Sequence, residues 1–272
     1  MKKRIYSIWV SLVIVLAMSG SGNALAGGLV EVDFDTVGFT TPLLIDNQYW
    51  PQVAGTVSTY FAETDDGCEW NRVDVTYSTD NIDGIAVRVV LDQEWLDESD
   101  DCADELDNYP GGFPYGDLAE KTHDWYAQDD SGNIWYLGEH TVSLDADKDE
   151  CDDWANPDGV FALTGCLDGS FKSGEDGAEA GLIMLAYPSK GDFYQQEFDE
   201  DNAEDWARVL NFVPIEDNED CLKTKEWSPL EPGSVEHKYY CPGGSPNDGL
   251  ILIEEVSGGP KVWVELIDVT NY

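Results

Sequence analysis

Closely spaced carboxylates in one acidic stretch are the residues whose pattern points most directly to chemistry. Four aspartates recur there at short intervals: Asp145, Asp147, Asp149 and Asp153. Hard cations such as calcium take six to eight oxygen ligands, which the carboxylates of one loop can supply. The stretch opens like an EF-hand but departs from it, with Glu150 in place of glycine and Asn156 in place of glutamate. It predicts a generic calcium loop, with a solvated acidic loop as the alternative, and calcium is the one cofactor that the sequence indicates.

Aromatic residues are concentrated on the two sides of one turn. With the turn centred between residues 130 and 131, Trp125 faces Tyr136 and Tyr126 faces Trp135. Such cross-strand aromatic pairs stabilise a hairpin. One pair falls on each face of the predicted hairpin, so each face is covered or one of them is a binding surface. These four side chains are the candidate ligand-binding residues.

Signatures of catalysis are missing from the sequence. The chain beyond residue 26 has no G-x-S-x-G, H-E-x-x-H or S-x-x-K motif. Two of its 56 acidic residues could act as a pair in glycoside hydrolysis, but so many acids make that observation uninformative. We assign no catalytic residue, and the sequence favours a protein that is not an enzyme.

Six cysteines predict disulfide bonds, because an even count is typical of exported proteins. Strands on either side of a hairpin centred on Glu231 place Cys221 opposite Cys241, at a separation that a disulfide can span. The other pairings stay open. A Cys151–Cys166 bond would close a short acidic loop and would leave Cys68 with Cys102.

The composition excludes some classes of partner. The 272 residues include 56 acidic and 14 basic side chains, for a formal net charge of −42. Nucleic acids and anionic membrane surfaces repel such a chain. Hydrophobic residues make up 42% and aromatic residues 12%, which favours a folded domain over a solvated acidic tail.

The first 26 residues resemble a secretory signal peptide. Lys2, Lys3 and Arg4 form a basic start, residues 8–18 are apolar, and residues 24–26 fit a cleavage site. We therefore expect residues 27–272 to form a single exported β domain in the periplasm or the medium. It should not insert stably into a membrane after cleavage.

Short runs rich in Val, Ile, Thr, Tyr and Trp, separated by turn residues, predict a mostly β chain. The runs are Thr56–Glu63, Val73–Ser78, Ile85–Leu91, Lys121–Ala127, Ile134–Val142, Gly169–Ser173, Leu182–Tyr187, Phe193–Phe198, Cys221–Trp227, Glu236–Cys241, Leu250–Val256 and Lys261–Val269. Only Asp201–Leu210 has helical spacing. The expected fold is an antiparallel curved sheet, barrel or sandwich with acidic, disulfide-tied loops and at most one or two short helices. Acidic residues bunch between the runs, so we expect the carboxylates on the rim.

Two long motifs resemble an uncharacterised family of exported bacterial proteins. They are the segment from Asp124 to Glu139, which reads DWYAQDDSGNIWYLGE, and the segment from Cys221 to Tyr240, which begins CLKTKEWSPLEPG. The approach Asn47–Pro51 is similar to the start of that family. Residues 236–256 also resemble hairpins in curved-sheet periplasmic proteins of the lipoprotein-carrier type. That likeness implies a concave apolar face that holds a lipid or a partner, and neither resemblance implies a catalytic residue.

The sequence therefore predicts an exported, non-catalytic binding protein that holds a small apolar molecule or a protein segment on an aromatic-rich sheet. One alternative is an extracellular structural or adhesion module stabilised by calcium. A second alternative is a carboxylate-based hydrolase.

Overall fold

A computed structural model describes most of the chain beyond residue 26. The described residues are 27–98, 102–109, 111, 116–144, 148–149, 151, 153–167, 169–215, 218–243, 249–257 and 261–272. The predicted signal peptide lies outside them. They form eighteen strands, a 3₁₀-helix at Phe34–Thr36 and an α-helix at Cys102–Asn108. The predicted mostly β class is confirmed.

The strands, in chain order, are β1 Asp46–Asn47, β2 Trp50–Pro51, β3 Thr56–Glu63, β4 Cys68–Ile82, β5 Ile85–Asp97, β6 Asp117–Gln128, β7 Ile134–Ser143, β8 Trp154–Ala155, β9 Gly165–Cys166, β10 Phe171–Lys172, β11 Glu179–Met184, β12 Phe193–Gln195, β13 Glu197–Phe198, β14 Trp206–Ile215, β15 Asn218–Trp227, β16 Glu236–Cys241, β17 Gly249–Glu255 and β18 Trp263–Asn271.

One antiparallel sheet of sixteen strands dominates the described part of the chain. Its main path runs β12-β14-β15-β16-β17-β18-β3-β4-β5-β6-β7-β11-β13. The two end strands follow each other in sequence, with Gln196 between them: β12 pairs with β14, and β13 pairs with β11. The sheet therefore curves until its ends are neighbours, but it does not close as a barrel.

The predicted helix at Asp201–Leu210 is wrong. Strand β14 begins at Trp206 and pairs with β15 from Trp206 opposite Trp227 onward. Ala207 and Val209 are fully buried while Arg208 between them is exposed, which is the two-residue alternation of a strand. The three- and four-residue spacing of apolar residues was compatible with either element, and pairing with β15 decided for the strand.

The segment before β1 covers the outer face of the β6–β7 hairpin. The rings of Phe34 and Phe39 lie 5.0 and 6.5 Å from that of Trp135. The turn of the hairpin holds this segment, because Asp130 accepts hydrogen bonds from the backbone N–H and the hydroxyl of Thr40, both at 2.8 Å. One face of the hairpin is thus packed, which leaves the other for the cavity described below.

Three disulfides join Cys68 to Cys102, Cys151 to Cys166 and Cys221 to Cys241. The hairpin register that predicted the last bond is confirmed, since Leu222 faces Tyr240 and Glu226 faces Glu236. Disulfides persist in oxidising compartments. Among the described residues, no helix has the length and apolar character needed to span a membrane.

Candidate functional site

A cavity of about 680 Å³ lies on the concave side of the large sheet. Strands β3 to β7, β11, β13 and β15 to β18 contribute to its wall, together with the β1–β2 hairpin. Val53 lines it and is 62% exposed, so the cavity meets solvent at this residue. Ten of the residues that line it carry carboxyl groups.

A β-bulge in the β6–β7 hairpin sets which side chains reach the cavity. Asp124 faces Glu139, but two residues later Tyr126 faces Tyr136, so β7 carries one extra residue at this point. Tyr136 and Glu139 are three positions apart and would point to opposite faces of a regular strand. Because of the bulge, both line the cavity.

Gly138 makes this bulge possible. Its φ of +138° is a conformation that residues with a side chain rarely adopt. A Cβ at this position would also clash with the backbone of Phe171 and Lys172 on the neighbouring strand. Gly138 therefore permits the bulge that places the carboxyl group of Glu139 at the cavity.

Two carboxyl groups share one hydroxyl inside the cavity. The Tyr136 hydroxyl lies 2.6 Å from Asp124 Oδ1 and 2.8 Å from Glu139 Oε2. A hydroxyl has one proton to donate, so it can donate to one of these groups and must accept from the other. Two hydrogen bonds at these distances therefore require one of the two carboxyl groups to be protonated.

Burial also favours the protonated form of these acids. It is the main cause that raises the pKa of Asp124 and of Glu139 well above their ordinary values, and each pKa is raised further by nearby carboxylates. Burial also raises the pKa of Asp92, with Asp124 adding to the effect, and that of Glu197, with Asp205 adding to it. We call these four groups the acid cluster. Their raised pKa values favour the protonated form at a pH where exposed carboxyl groups are ionised.

Only one cationic side chain lines the cavity in the described part of the chain, and it is already engaged. Lys238 Nζ lies 3.1 Å from Glu226 and 3.4 Å from Glu236. Burial works against the charge of Lys238, but the two carboxylates raise its pKa above the ordinary value. Lys238 therefore forms its ion pairs with Glu226 and Glu236. Its charge also acts on Glu197, but no ion pair links a described cation to Asp92, Asp124 or Glu139.

A second cavity of about 290 Å³ shares this charged wall. The shared residues are Glu197, Asp205, Glu226, Glu236 and Lys238. The charged groups therefore form a partition between a large chamber with aromatic walls and a smaller chamber beside the 226–236 turn. Glu197 belongs to both chambers.

The β1–β2 hairpin presents a tryptophan to the large chamber. Asn47 fixes the hairpin by donating through Nδ2 to the carbonyl groups of Gly132 and Leu185, at 3.0 and 3.1 Å. The ring of Trp50 then lies 5.9 Å from that of Tyr126 and 5.5 Å from that of Tyr240. Its buried indole Nε1 has no hydrogen-bond partner among the described residues.

The structure separates the four predicted aromatic residues into two pairs. Tyr126 and Tyr136 line the cavity, with stacked rings 4.9 Å apart. Trp135 lies on the covered face, where its Nε1 donates to Asp129 at 3.0 Å, and Trp125 packs beside Lys172. The predicted facing pairs are wrong by one residue, because Gln128 faces Ile134 around a five-residue turn and the bulge adds a second shift.

The predicted calcium loop falls largely outside the described residues. Asp145 and Asp147 are not described, whereas Asp149 and Asp153 are. Within the described ranges, no group of three or more His, Cys, Asp or Glu side chains is arranged to hold a metal ion. The calcium hypothesis stays a prediction.

Sequence reasoning missed the acid cluster. It placed the acids in loops, whereas ten of the side chains that line the large cavity carry carboxyl groups. A signal was present, because Asp124, Glu139 and Glu197 each stand inside a predicted strand. A carboxylate within an otherwise apolar and aromatic strand indicates a polar interior more directly than any count of acids.

Comparison with known proteins adds no relative. No family, curated protein or solved structure matches the chain. The function must therefore be argued from the cavity and its charges.

Proposed function

We propose that this chain is an exported binding protein, periplasmic or secreted, that holds a small molecule with an apolar body in the large cavity. The single observation that carries the proposal is the cavity of about 680 Å³ with aromatic walls. Ligand pockets for small molecules range from about 300 to 1,000 Å³, so the cavity has the size of such a pocket. The three disulfides support the exported location.

The apolar part of the wall suits a ring or a branched chain. Tyr126, Tyr136 and Trp50 meet at one side, and Val73, Val75 and Val90 line another part. Aromatic rings bind apolar bodies through large contact areas at little cost in side-chain entropy. The fixed hairpin around Asn47 keeps Trp50 in place without a ligand, which reduces the cost of ordering the site on binding.

A neutral fluorescent probe tests the proposal. N-phenyl-1-naphthylamine should bind with saturable, one-to-one fluorescence enhancement. Ser58→Trp fills the cavity from β3 and should weaken this binding at least tenfold. Ser78→Trp is the matched control, because Ser78 is exposed on β4 and does not line the cavity. Equal binding by wild type and Ser58→Trp, or no binding by wild type, contradicts the proposal.

A carboxylate-based hydrolase is a second candidate, favoured by the Asp124–Tyr136–Glu139 arrangement. The two carboxyl oxygens lie within two hydrogen-bond lengths of each other. A protonated acid beside a carboxylate is the pair that glycoside hydrolysis uses. Turnover of nitrophenyl glycosides that disappears in both Asp124→Asn and Glu139→Gln supports this candidate. Absence of turnover, or turnover that survives both changes, removes it.

A further inference from the structure

We infer that the ligand carries a positive charge, and that an organic ammonium group occupies the acid cluster while its apolar body contacts the aromatic wall. The inference rests on the proposed binding function and names the chemical class of its ligand. Three observations support it: the balance of charges in the cavity, polar groups without partners, and the position of the aromatic rings.

The charge balance favours a cation. Ten carboxyl side chains line the large cavity and one ammonium group opposes them. That ammonium group, on Lys238, is held by Glu226 and Glu236. A buried carboxylate is costly in its charged form without a cationic partner. In the described part of the chain no ion pair reaches the four groups of the acid cluster, and a ligand cation would supply one.

Two oxygen acceptors at the wall of the same space have no partner among the described residues. No hydrogen bond or ion pair holds the side chain of Glu197 among the described residues, although it is partly buried and borders both chambers. The buried Oε1 of Gln52, an acceptor, also has no partner there, and Gln52 lines the large chamber. A chamber shaped for a purely apolar molecule would not retain such groups, because each costs free energy when it stays unsatisfied.

The aromatic rings are placed to assist. Tyr126 stacks on Tyr136, and the hydroxyl of Tyr136 contacts Asp124 and Glu139. A ligand whose cation is seated at these carboxyl groups therefore has aromatic rings beside its apolar body, and these rings offer it a large contact area.

Binding of a cation should release protons from the cluster. The groups that face Asp124 and Glu139 are Asp92 on β5, Glu120 and Tyr126 on β6, Tyr136 on β7 and Glu197 on β13, and those that face Glu197 also include Asp205 and Lys238. Apart from Lys238 and the tyrosines, all of these are carboxyl groups. A fixed positive charge would favour their ionised form, so a proton leaves to the buffer as the cation enters, and affinity rises with pH.

Two isosteric probes test the charge. Phenyltrimethylammonium and tert-butylbenzene have the same shape, and they differ by one positive charge. Each competes with N-phenyl-1-naphthylamine at about 0.15 M salt, where exposed charges are screened. We expect the cation to displace the dye at a concentration at least tenfold lower and to release protons, measured as a difference in binding heat between two buffers of unlike ionisation enthalpy.

Variants locate the effect. Glu197→Gln should weaken displacement by the cation about tenfold and leave displacement by tert-butylbenzene unchanged. Glu200→Gln removes the same charge three residues away at an exposed position and should change neither. Asp92→Asn is the second cluster variant, should Glu197→Gln fail to fold.

The outcomes separate the two proposals. Equal or stronger displacement by tert-butylbenzene, or cation binding that is unaffected by the cluster variants, overturns the inference and leaves the binding function standing. Failure of the dye and of both probes to bind overturns the binding function and the inference together.

Discussion

Two buried carboxyl groups in this sheet have pKa values shifted in opposite directions. Glu254 on β17 and Asp124 on β6 are 5% and 6% exposed. Glu254 lies 2.5 Å from Lys261 and 3.4 Å from Lys223, and it accepts a hydrogen bond from Tyr239 at 3.0 Å. Led by Lys261, these partners lower its pKa to about 2. Asp124 has no cationic partner among the described residues, and burial raises its pKa.

The difference shows that partners, rather than exposure, decide the charge of a buried acid. On the outer face of β15–β18, the single carboxylate of Glu254 has two lysine partners, and these ion pairs stabilise its charged form. Among the described residues that line the cavity, acids outnumber cations. These acids must therefore be protonated or be neutralised by a cation from outside the protein. The first region is structural, and the second has the properties of a site.

Gly138→Ala should cause the largest change, because it damages the bulge that brings Glu139 to the cavity. The substitution combines a strained φ with a clash against the backbone of Phe171. We expect it to lower the free energy of unfolding by about 3 kcal/mol in urea denaturation.

Gly84→Ala is the matched control. Gly84 also has a positive φ, of +81°, but a Cβ there meets nothing within 4 Å. Gly84→Ala should lower the free energy of unfolding by only about 1 kcal/mol. Equal losses at the two positions would mean that close packing at the bulge contributes nothing.

Glu254→Gln should cause the next largest effect. It should lower the free energy of unfolding by about 2 kcal/mol at pH 7, because charged hydrogen bonds are lost. The folded pKa of Glu254 is lowered, so its contribution is present above the unfolded pKa of about 4.3 and declines as pH falls to about 2. The difference from wild type should therefore shrink in acid. Glu265→Gln, at an exposed position on β18, should be neutral. A loss by Glu254→Gln that stays constant down to pH 2 contradicts the ion-pair explanation.

Asp124→Asn should change the free energy of unfolding in the opposite direction and by a smaller amount. The raised folded pKa of Asp124 means that its stability contribution is present below the unfolded pKa of about 3.9 and is lost as pH rises through the folded pKa. The variant should be near neutral at pH 5 and more stable than wild type by about 1–2 kcal/mol at pH 8.5. Thermal unfolding at the two pH values measures this. A variant that is less stable than wild type at pH 8.5 would show that Asp124 is ionised and well solvated.

Calcium should give the smallest effect, confined to the loop with Asp145, Asp147, Asp149 and Asp153. The calcium hypothesis predicts that millimolar calcium raises the melting temperature above that in sodium chloride of matched ionic strength, since a ligand of the folded state stabilises it. The double variant Asp149→Asn, Asp153→Asn should remove the difference. Identical melting in calcium and in chelator rejects the hypothesis.

Local patterns predicted much of the fold. The strand Thr56–Glu63 and the Cys221–Cys241 bond were predicted with their observed bounds and register, because alternation and symmetric spacing around a turn are local properties. The cavity was not predicted. Its acids come together only through the bulge at Gly138 and the curvature that brings Glu197 near Asp124, and both depend on strands far apart in sequence. Trp206 was assigned to a helix for the same reason, since its pairing with Trp227 is not visible in its own segment.

The protonation of the acid cluster is tested most directly by NMR titration of the side-chain carboxyl carbons, with Asp124→Asn and Glu139→Gln for assignment. Shared contact with the Tyr136 hydroxyl predicts at least one carboxyl group that stays protonated above about pH 6.5 and whose signal is lost or shifted in both variants. Titration of every aspartate and glutamate below about pH 5 would contradict it.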